Sequence, residues 1–75
     1  MIREFTLTSE YIELIKLLKL MGIAETGGHA KILVEEGEVM MNGQQEFRKR
    51  AKLRPGDVVE LGEIKIYIRE NNSPQ

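Results

Sequence analysis

The most concentrated charge in this chain lies in a run of seven residues. Positions 48–54 read Arg-Lys-Arg-Ala-Lys-Leu-Arg and contain five cations and no acid. Cations this close repel one another, and phosphate groups are the partners that most readily offset such a cluster. The run is therefore a candidate phosphate-binding site. The alternative is a solvated loop balanced by nearby glutamates such as Glu46 and Glu60, which is the commoner role of charge runs.

A pair of glycines forms a second candidate site. Gly27 and Gly28 follow Thr26, a residue type that caps the start of a helix. Glycines there leave the first N–H groups of the helix uncovered, and such a helix start is a ready anion site that Lys31, on the same side, would extend. The alternative is structural, because glycine also allows two helices to pack closely or relaxes a turn.

The composition rules out several kinds of catalytic site. The chain has one histidine (His29), one aspartate, two serines and no cysteine. A hydrolytic triad or a zinc site needs more of these residues, so we expect no catalytic residue, no metal and no other cofactor. We interpret His29 as an exposed residue in the first turn of a helix, where it stacks on or donates to RNA.

Length and composition indicate one small domain. The chain has 75 residues, of which 41% are hydrophobic and 31% charged. This is enough apolar surface for a core, although a domain so short has a modest margin of stability. The lack of cysteine, of a secretory signal and of a long apolar run predicts a cytoplasmic protein without a membrane segment.

Two short helices are predicted before the basic run. Thr8 or Ser9 is expected to cap the first helix, which ends at Gly22. Its apolar positions recur at helical spacing, at Tyr11, Leu14, Ile15, Leu18 and Met21. Thr26 is expected to cap the second helix, which ends at Gly37.

The second half of the chain shows the alternation of β-strands. A first hairpin turns at Asn42-Gly43 and returns over residues 44–47, and the basic run is then predicted to be a loop. A second hairpin joins residues 58–61 to 64–68, and residues 2–7 add an N-terminal strand. The prediction is an α+β fold over residues 1–70, with two short helices on a small, mainly antiparallel sheet of two hairpins. Residues 71–75 are expected to be a disordered tail.

This order of elements resembles the S-four domain, the RNA-binding domain named after small-subunit ribosomal protein four. The resemblance covers about residues 9–61, and the matching positions are Ala30, Gly37, Val39, Asn42, Gly43, Gly56 and Asp57. Where the family usually has Ser-Arg at the start of the second helix, this chain has Thr26-Gly27, so an arginine that often contacts RNA is missing. The Thr-Gly-Gly-x-Ala-Lys sequence with a basic run is similar to the short stand-alone bacterial members.

The resemblance implies a non-catalytic RNA-binding module with an alpha-L fold. Its expected ligand is structured RNA, ribosomal RNA above all, and ribosomal or ribosome-assembly proteins are further expected partners of a monomer. Catalytic proteins with an S-four domain rely on a separate catalytic domain, which a chain of this length does not add. The expected RNA-binding residues are Gly27, Gly28, His29, Lys31, Arg48, Lys49, Arg50, Lys52 and Arg54.

A protein-interaction adaptor is the alternative function. In this hypothesis the same basic loop binds an acidic partner. The net charge of −1 favours it, because the chain outside the basic run is acidic.

Overall fold

A computed structural model describes residues 1–71, which form a five-stranded sheet, a separate two-stranded ladder and two helices. In chain order the elements are β1 (Ile2–Leu7), β2 (Ile12–Glu13), α1 (Leu14–Leu20), α2 (Gly27–Glu35), β3 (Val39–Met41), β4 (Gln44–Gln45), β5 (Lys52–Leu53), β6 (Val58–Leu61) and β7 (Ile64–Glu70). The α+β fold predicted from the sequence, with two short helices and a mainly antiparallel sheet built on two hairpins, is confirmed.

The five-stranded sheet joins the two predicted hairpins through β3 and β6. Its strand order is β1-β7-β6-β3-β4, and every neighbouring pair except β1 and β7 is antiparallel. The N-terminal strand β1 runs parallel to β7, with Ile2 opposite Lys65. The sequence predicted β1 as a strand but gave it no partner, because pairing between distant segments leaves no local signal.

The face of the sheet that meets the helices is apolar. Val59, Ile66 and Ile68 are at most 2% exposed and belong to one cluster with Leu17 and Leu18 of α1. Full burial of a side chain of this size contributes roughly 1.5–3 kcal/mol. Successive side chains of a strand point to opposite faces, so alternate residues of β7 point away from the helices. These residues are Lys65, Tyr67 and Arg69.

Helix α1 begins at Leu14, and the predicted cap at Thr8 or Ser9 is wrong. Residues 12–13 are extended because β2 pairs with β5, so the helix cannot start before them. Glu13 stands in the cap position, but its side chain makes no capping hydrogen bond. The Ser9 hydroxyl donates to the carbonyl of Tyr11 instead, at 2.9 Å.

The start of α2 and the first hairpin turn agree with their sequence signals. The Thr26 hydroxyl oxygen accepts a hydrogen bond from the His29 N–H at 3.0 Å, as expected of a cap. Asn42 and Gly43 both have positive φ, 53° and 85°, which is the conformation of a type I′ turn. The predicted returning strand is shorter than expected, since β4 includes only two residues.

The predicted disordered tail begins at Asn71, and residues 72–75 lie outside the described part of the chain. The prediction for them therefore stays a prediction. Within residues 1–71, neither helix is both long and apolar enough to cross a membrane.

Candidate nucleic-acid interface

Buried and exposed residues alternate along the basic run, and the predicted loop holds for residues 48–51 and 54, which lie outside the strands. Ala51 and Leu53 are 4% and 0% exposed, whereas Arg50, Lys52 and Arg54 are exposed. Lys52 and Leu53 form β5, which pairs with β2. Side chains two residues apart on an extended chain share a side, and Lys52 and Arg54 both lie over the Tyr11 ring. Arg50 lies in a turn, in which the N–H of Ala51 donates to the carbonyl of Arg48 at 3.1 Å.

The start of α1 holds the basic run by two backbone hydrogen bonds. The N–H of Leu14 donates to the carbonyl of Ala51 at 2.9 Å, and the N–H of Ile15 donates to the carbonyl of Lys49 at 3.1 Å. These bonds satisfy N–H groups that a helix leaves without an internal partner. The helix therefore gains its cap from the run, and the run gains a fixed position from the helix.

Tyr11 lies beneath two cations of the run, and the sequence did not identify it as part of this surface. The Lys52 ammonium lies 4.9 Å from the centroid of the Tyr11 ring, and the Arg54 guanidinium carbon lies 5.7 Å from it. Cations at this distance are attracted to the face of an aromatic ring. The available signal was the alternation Tyr11-Ile12-Glu13, which matches the strand period as well as the helical one.

Arg48 is neutralised within the protein. Its Nε donates to Oε2 of Glu46 at 3.0 Å and its Nη2 donates to Oε1 at 3.2 Å. The Arg48 side chain thereby lowers the pKa of the Glu46 carboxyl from its usual 4.5. The alternative that glutamates balance the run thus applies to Arg48. It does not apply through Glu60, which lies opposite Lys65 in the five-stranded sheet.

The other cations of the run are less engaged. Arg50 is the closest to an acid, and its Nε lies 3.8 Å from Oε2 of Glu13. Both of these side chains are partly exposed, so the pair adds little stability. Lys49, Lys52 and Arg54 form no ion pair with any acid of residues 1–71. Most of the positive charge of the run is therefore available to an external anion.

An open groove runs along the basic run. Its floor includes Ala51, and Glu35 at the end of α2 borders it with Phe47. The remaining lining residues are Arg48, Lys49, Arg50, Lys52 and Arg54.

The glycine pair lies at the other end of α2 from this groove. Gly27, Lys31 and Glu35 share one face of the helix because each is four residues from the next. Glu35 lies eight positions after Gly27, which corresponds to about 12 Å along the helix axis. The structure therefore does not bring the glycine pair into the groove. It connects the two candidate sites by one helix face on which Lys31 lies midway.

The first turn of α2 has two uncovered donors. The N–H groups of Gly27 and Gly28 have no acceptor in the described part of the chain, whereas Thr26 occupies the N–H of His29. The Nδ1 atom of His29 accepts a hydrogen bond from the Glu25 N–H at 3.3 Å. In the neutral ring this leaves Nε2 as the donor.

Close packing does not require either glycine. A Cβ on Gly27 would lie 3.9 Å from Cδ of Lys19, and a Cβ on Gly28 would lie 3.8 Å from Oγ1 of Thr26. Both are ordinary van der Waals distances, and neither glycine has a positive φ. An alanine would therefore have room at either position, so the packing of α2 on α1 gives no steric reason for glycine there.

Residues 1–71 contain no group of three or more His, Asp or Glu side chains placed to hold a metal ion. The candidate site consists of cations, backbone donors and aromatic rings.

The chain is similar to proteins whose names describe RNA binding and ribosome maturation. The chain is 47% identical over 58 residues to YbcJ of Escherichia coli (strain K12), covering 77% of this chain and 83% of YbcJ, whose provisional name describes an RNA-binding protein. It is 38% identical over 61 residues to RlbA of Bacillus subtilis (strain 168), covering 81% and 86%, which is named a probable ribosome maturation protein.

A solved structure shows the same fold. The solution structure of YbcJ from E. coli superposes with a TM-score of 0.68 at 37% sequence identity, covering 88% of this chain and 85% of YbcJ. That structure is described as revealing an alfaL motif involved in RNA-binding. The family model of the S4 domain matches residues 5–69. The resemblance to the S-four domain is thus confirmed over nearly the whole described chain, and this protein belongs to the S4 domain family.

Proposed function

We propose that this protein is a non-catalytic module that binds structured RNA, with ribosomal RNA as its ligand, through the outward side of its basic run and one face of α2. The observation that carries the proposal is the alternation of Arg50, Lys52 and Arg54 with buried Ala51 and Leu53. Burial of Ala51 and Leu53 holds the backbone of the run against the core, so its exposed cations keep a defined position on the surface.

Phosphate binding follows from the charges of this surface. Lys52 and Arg54 have no acidic partner in residues 1–71, and the ring of Tyr11 holds both on one side of the ladder. Each phosphate that they neutralise releases condensed counterions from the RNA, which makes binding favourable at low salt. Lys52 and Arg54 lie over the same Tyr11 ring, so these two cations can face the RNA backbone together.

The start of α2 supplies a second contact in this proposal. The N–H groups of Gly27 and Gly28 have no acceptor within residues 1–71, and Lys31 lies one turn beyond Gly27 on the same face of α2. Helix starts attract anions through these donors and through the helix dipole. RNA that lies across α2 reaches both the glycine pair and the groove, which one helix length separates.

The biological setting belongs to the same proposal. The relative named for ribosome maturation supports ribosomal RNA as the ligand, with ribosomal or ribosome-assembly proteins as further partners. In this proposal the protein acts in the cytoplasm and as a monomer.

A salt titration of RNA binding tests the proposal. The full chain is titrated by fluorescence anisotropy with a ribosomal RNA fragment and, separately, with an acidic peptide, at several salt concentrations. The doubly substituted variant Arg50→Gln, Lys52→Gln should bind the RNA more weakly, and the slope of log affinity against log salt should fall by roughly 0.7 to 0.9 per lost contact.

The matched control removes the same charge from the opposite face. Lys65→Gln with Arg69→Gln changes two cations that point away from the helices. The Lys65 ammonium lies 5.9 Å from the centroid of Tyr67, as Lys52 lies over Tyr11, and Arg69 pairs with Glu4 at 3.0 Å, as Arg50 pairs with Glu13 at 3.8 Å. This control should keep the parent slope. An equal loss in both variants would contradict a localised site, and binding of the peptide without the RNA would establish the adaptor instead.

A further inference from the structure

Phe47 is a large apolar side chain that borders the basic groove and remains 56% exposed. We infer that the groove receives RNA at unpaired nucleotides, one base of which stacks on the Phe47 ring. This inference rests on the proposed RNA-binding function and deepens it by naming the part of the RNA that the site contacts.

The ring of Phe47 is held at one edge. A Cβ on Gly37 would lie 3.2 Å from Cε1 and 3.5 Å from Cζ of Phe47, so the ring edge rests against the glycine backbone. Gly37 also has a φ of +77°, which favours glycine, and its carbonyl accepts a hydrogen bond from Nε2 of Gln45 at 3.0 Å. The turn after α2 thus fixes the position of the ring without covering it.

The face of this ring is free of the cations around it. Within residues 1–71 the cation–π contacts involve the rings of Tyr11 and Tyr67 and not that of Phe47. The neighbouring Arg48 is turned toward Glu46 and bound to its carboxylate. Tyr11 therefore positions cations, whereas the Phe47 ring, in a residue that is 56% exposed, carries no cation.

An open aromatic ring beside a row of cations matches one chemical class of ligand. The bases of a duplex are paired and stacked on one another, so a duplex offers this groove only its phosphates. An unpaired nucleotide in a loop, a bulge or a single strand offers a phosphate for Lys or Arg and a base whose face can stack on an aromatic ring. The groove presents complements to both groups.

Three RNA probes of equal length test this inference: a hairpin with an unpaired loop, a fully paired duplex and an unstructured single strand. Each probe is titrated with the full chain and with Phe47→Leu, which keeps an apolar side chain but loses the aromatic face. The parent should bind the two probes with unpaired nucleotides more tightly than the duplex. Phe47→Leu should weaken binding to those two by about 5- to 100-fold and leave the duplex affinity and the salt slope unchanged.

A conservative variant and a spectroscopic signal complete the test. Phe47→Tyr should restore the affinity, and a fluorescent adenine analogue in the loop should be quenched by the parent protein but not by Phe47→Leu. Equal affinity for all three probes, or an equal loss of duplex binding in Phe47→Leu, would overturn the inference while RNA binding itself stands. Failure of the parent to bind any probe would instead contradict the proposed function.

Discussion

Asn42 and Asp57 join the two turns that flank the basic run, through a hydrogen bond from Asn42 Nδ2 to Asp57 Oδ1 at 3.1 Å. Oδ1 of the Asn42 side chain accepts a hydrogen bond from the Val58 N–H at 2.9 Å, and Oδ2 of Asp57 accepts one from the Arg54 N–H at 2.7 Å. Two motif positions that are separate in the sequence are thus one structural unit. These three hydrogen bonds, called here the Asn42–Asp57 clasp, close the segment that carries the basic run. They also hold the backbone of Arg54, the last cation of the run.

Loss of this clasp should destabilise the domain. Asp57→Ala removes the acceptor of two hydrogen bonds. A hydrogen bond to a charged acceptor contributes about 1.5–3 kcal/mol to stability. We expect a thermal midpoint several degrees lower, measured by circular dichroism. The control is Glu63→Ala, an exposed acid in the turn of the other hairpin that forms no ion pair in the described chain. Equal midpoints for the two variants would contradict the role of the clasp.

Substitutions at Gly43 should destabilise the domain through the backbone conformation and not through the volume of the new side chain. A Cβ there would meet no atom within 4 Å, but the φ of +85° is one that β-branched residues resist. Gly43→Val should therefore lower the free energy of unfolding by about 1–2 kcal/mol, measured by urea denaturation. Gly43→Asn, a residue that tolerates this region, should lose clearly less, and equal losses would refute the type I′ turn as the cause.

Gly28→Ala should separate stability from RNA affinity. The added methyl group has room, and alanine favours helices more than glycine does. The thermal midpoint should therefore hold or rise, and the free energy of unfolding should increase by up to about 1 kcal/mol. The same methyl group would obstruct a phosphate at the helix start, so RNA affinity should fall. Affinity that follows stability, or amide shifts of Gly27 and Gly28 that do not respond to RNA, would confine the interface to the groove.

Glu46→Gln should strengthen RNA binding. The substitution frees Arg48 from its carboxylate partner and removes a negative charge beside the groove. An additional phosphate contact by Arg48 would raise the affinity at low salt and steepen the salt slope by roughly 0.7 to 0.9. Anisotropy titration of the parent and the variant checks this. If Glu46→Gln leaves both quantities unchanged, Arg48 lies outside the interface.

The same pair predicts a dependence of stability on pH. The pKa of Glu46 is lowered in the folded protein by its hydrogen bonds with Arg48, so its contribution to stability is present above the ordinary pKa of 4.5 and is lost as the pH falls through the lowered value. Denaturation at neutral pH should show the parent slightly more stable than Glu46→Gln, and this difference should vanish in acid. A difference that grows on acidification would have the wrong sign for this mechanism.

The sequence predicted those features that local chemistry decides. Thr26 caps α2 and Asn42-Gly43 forms the hairpin turn because each acts through its own backbone neighbours. Ser9 carried an equally good cap signal, yet β2 pairs with a strand far along the chain and moves the helix start to Leu14. The position of Tyr11 under two cations depends on that same distant pairing.

The candidate site was predictable to a similar extent. The composition of the run identified its cations, but only the burial of Ala51 and Leu53 shows which of them point outward. Phe47 gave no signal at all, because a single aromatic residue next to a charged run has the composition of an ordinary strand end.

The parallel pairing of β1 with β7 also has a kinetic consequence. The ion pair between Glu4 and Arg69 joins residues 65 positions apart, and the edge strand has no other partner in the sheet. Contacts this distant in sequence close large loops, so they slow folding relative to helical proteins of similar length.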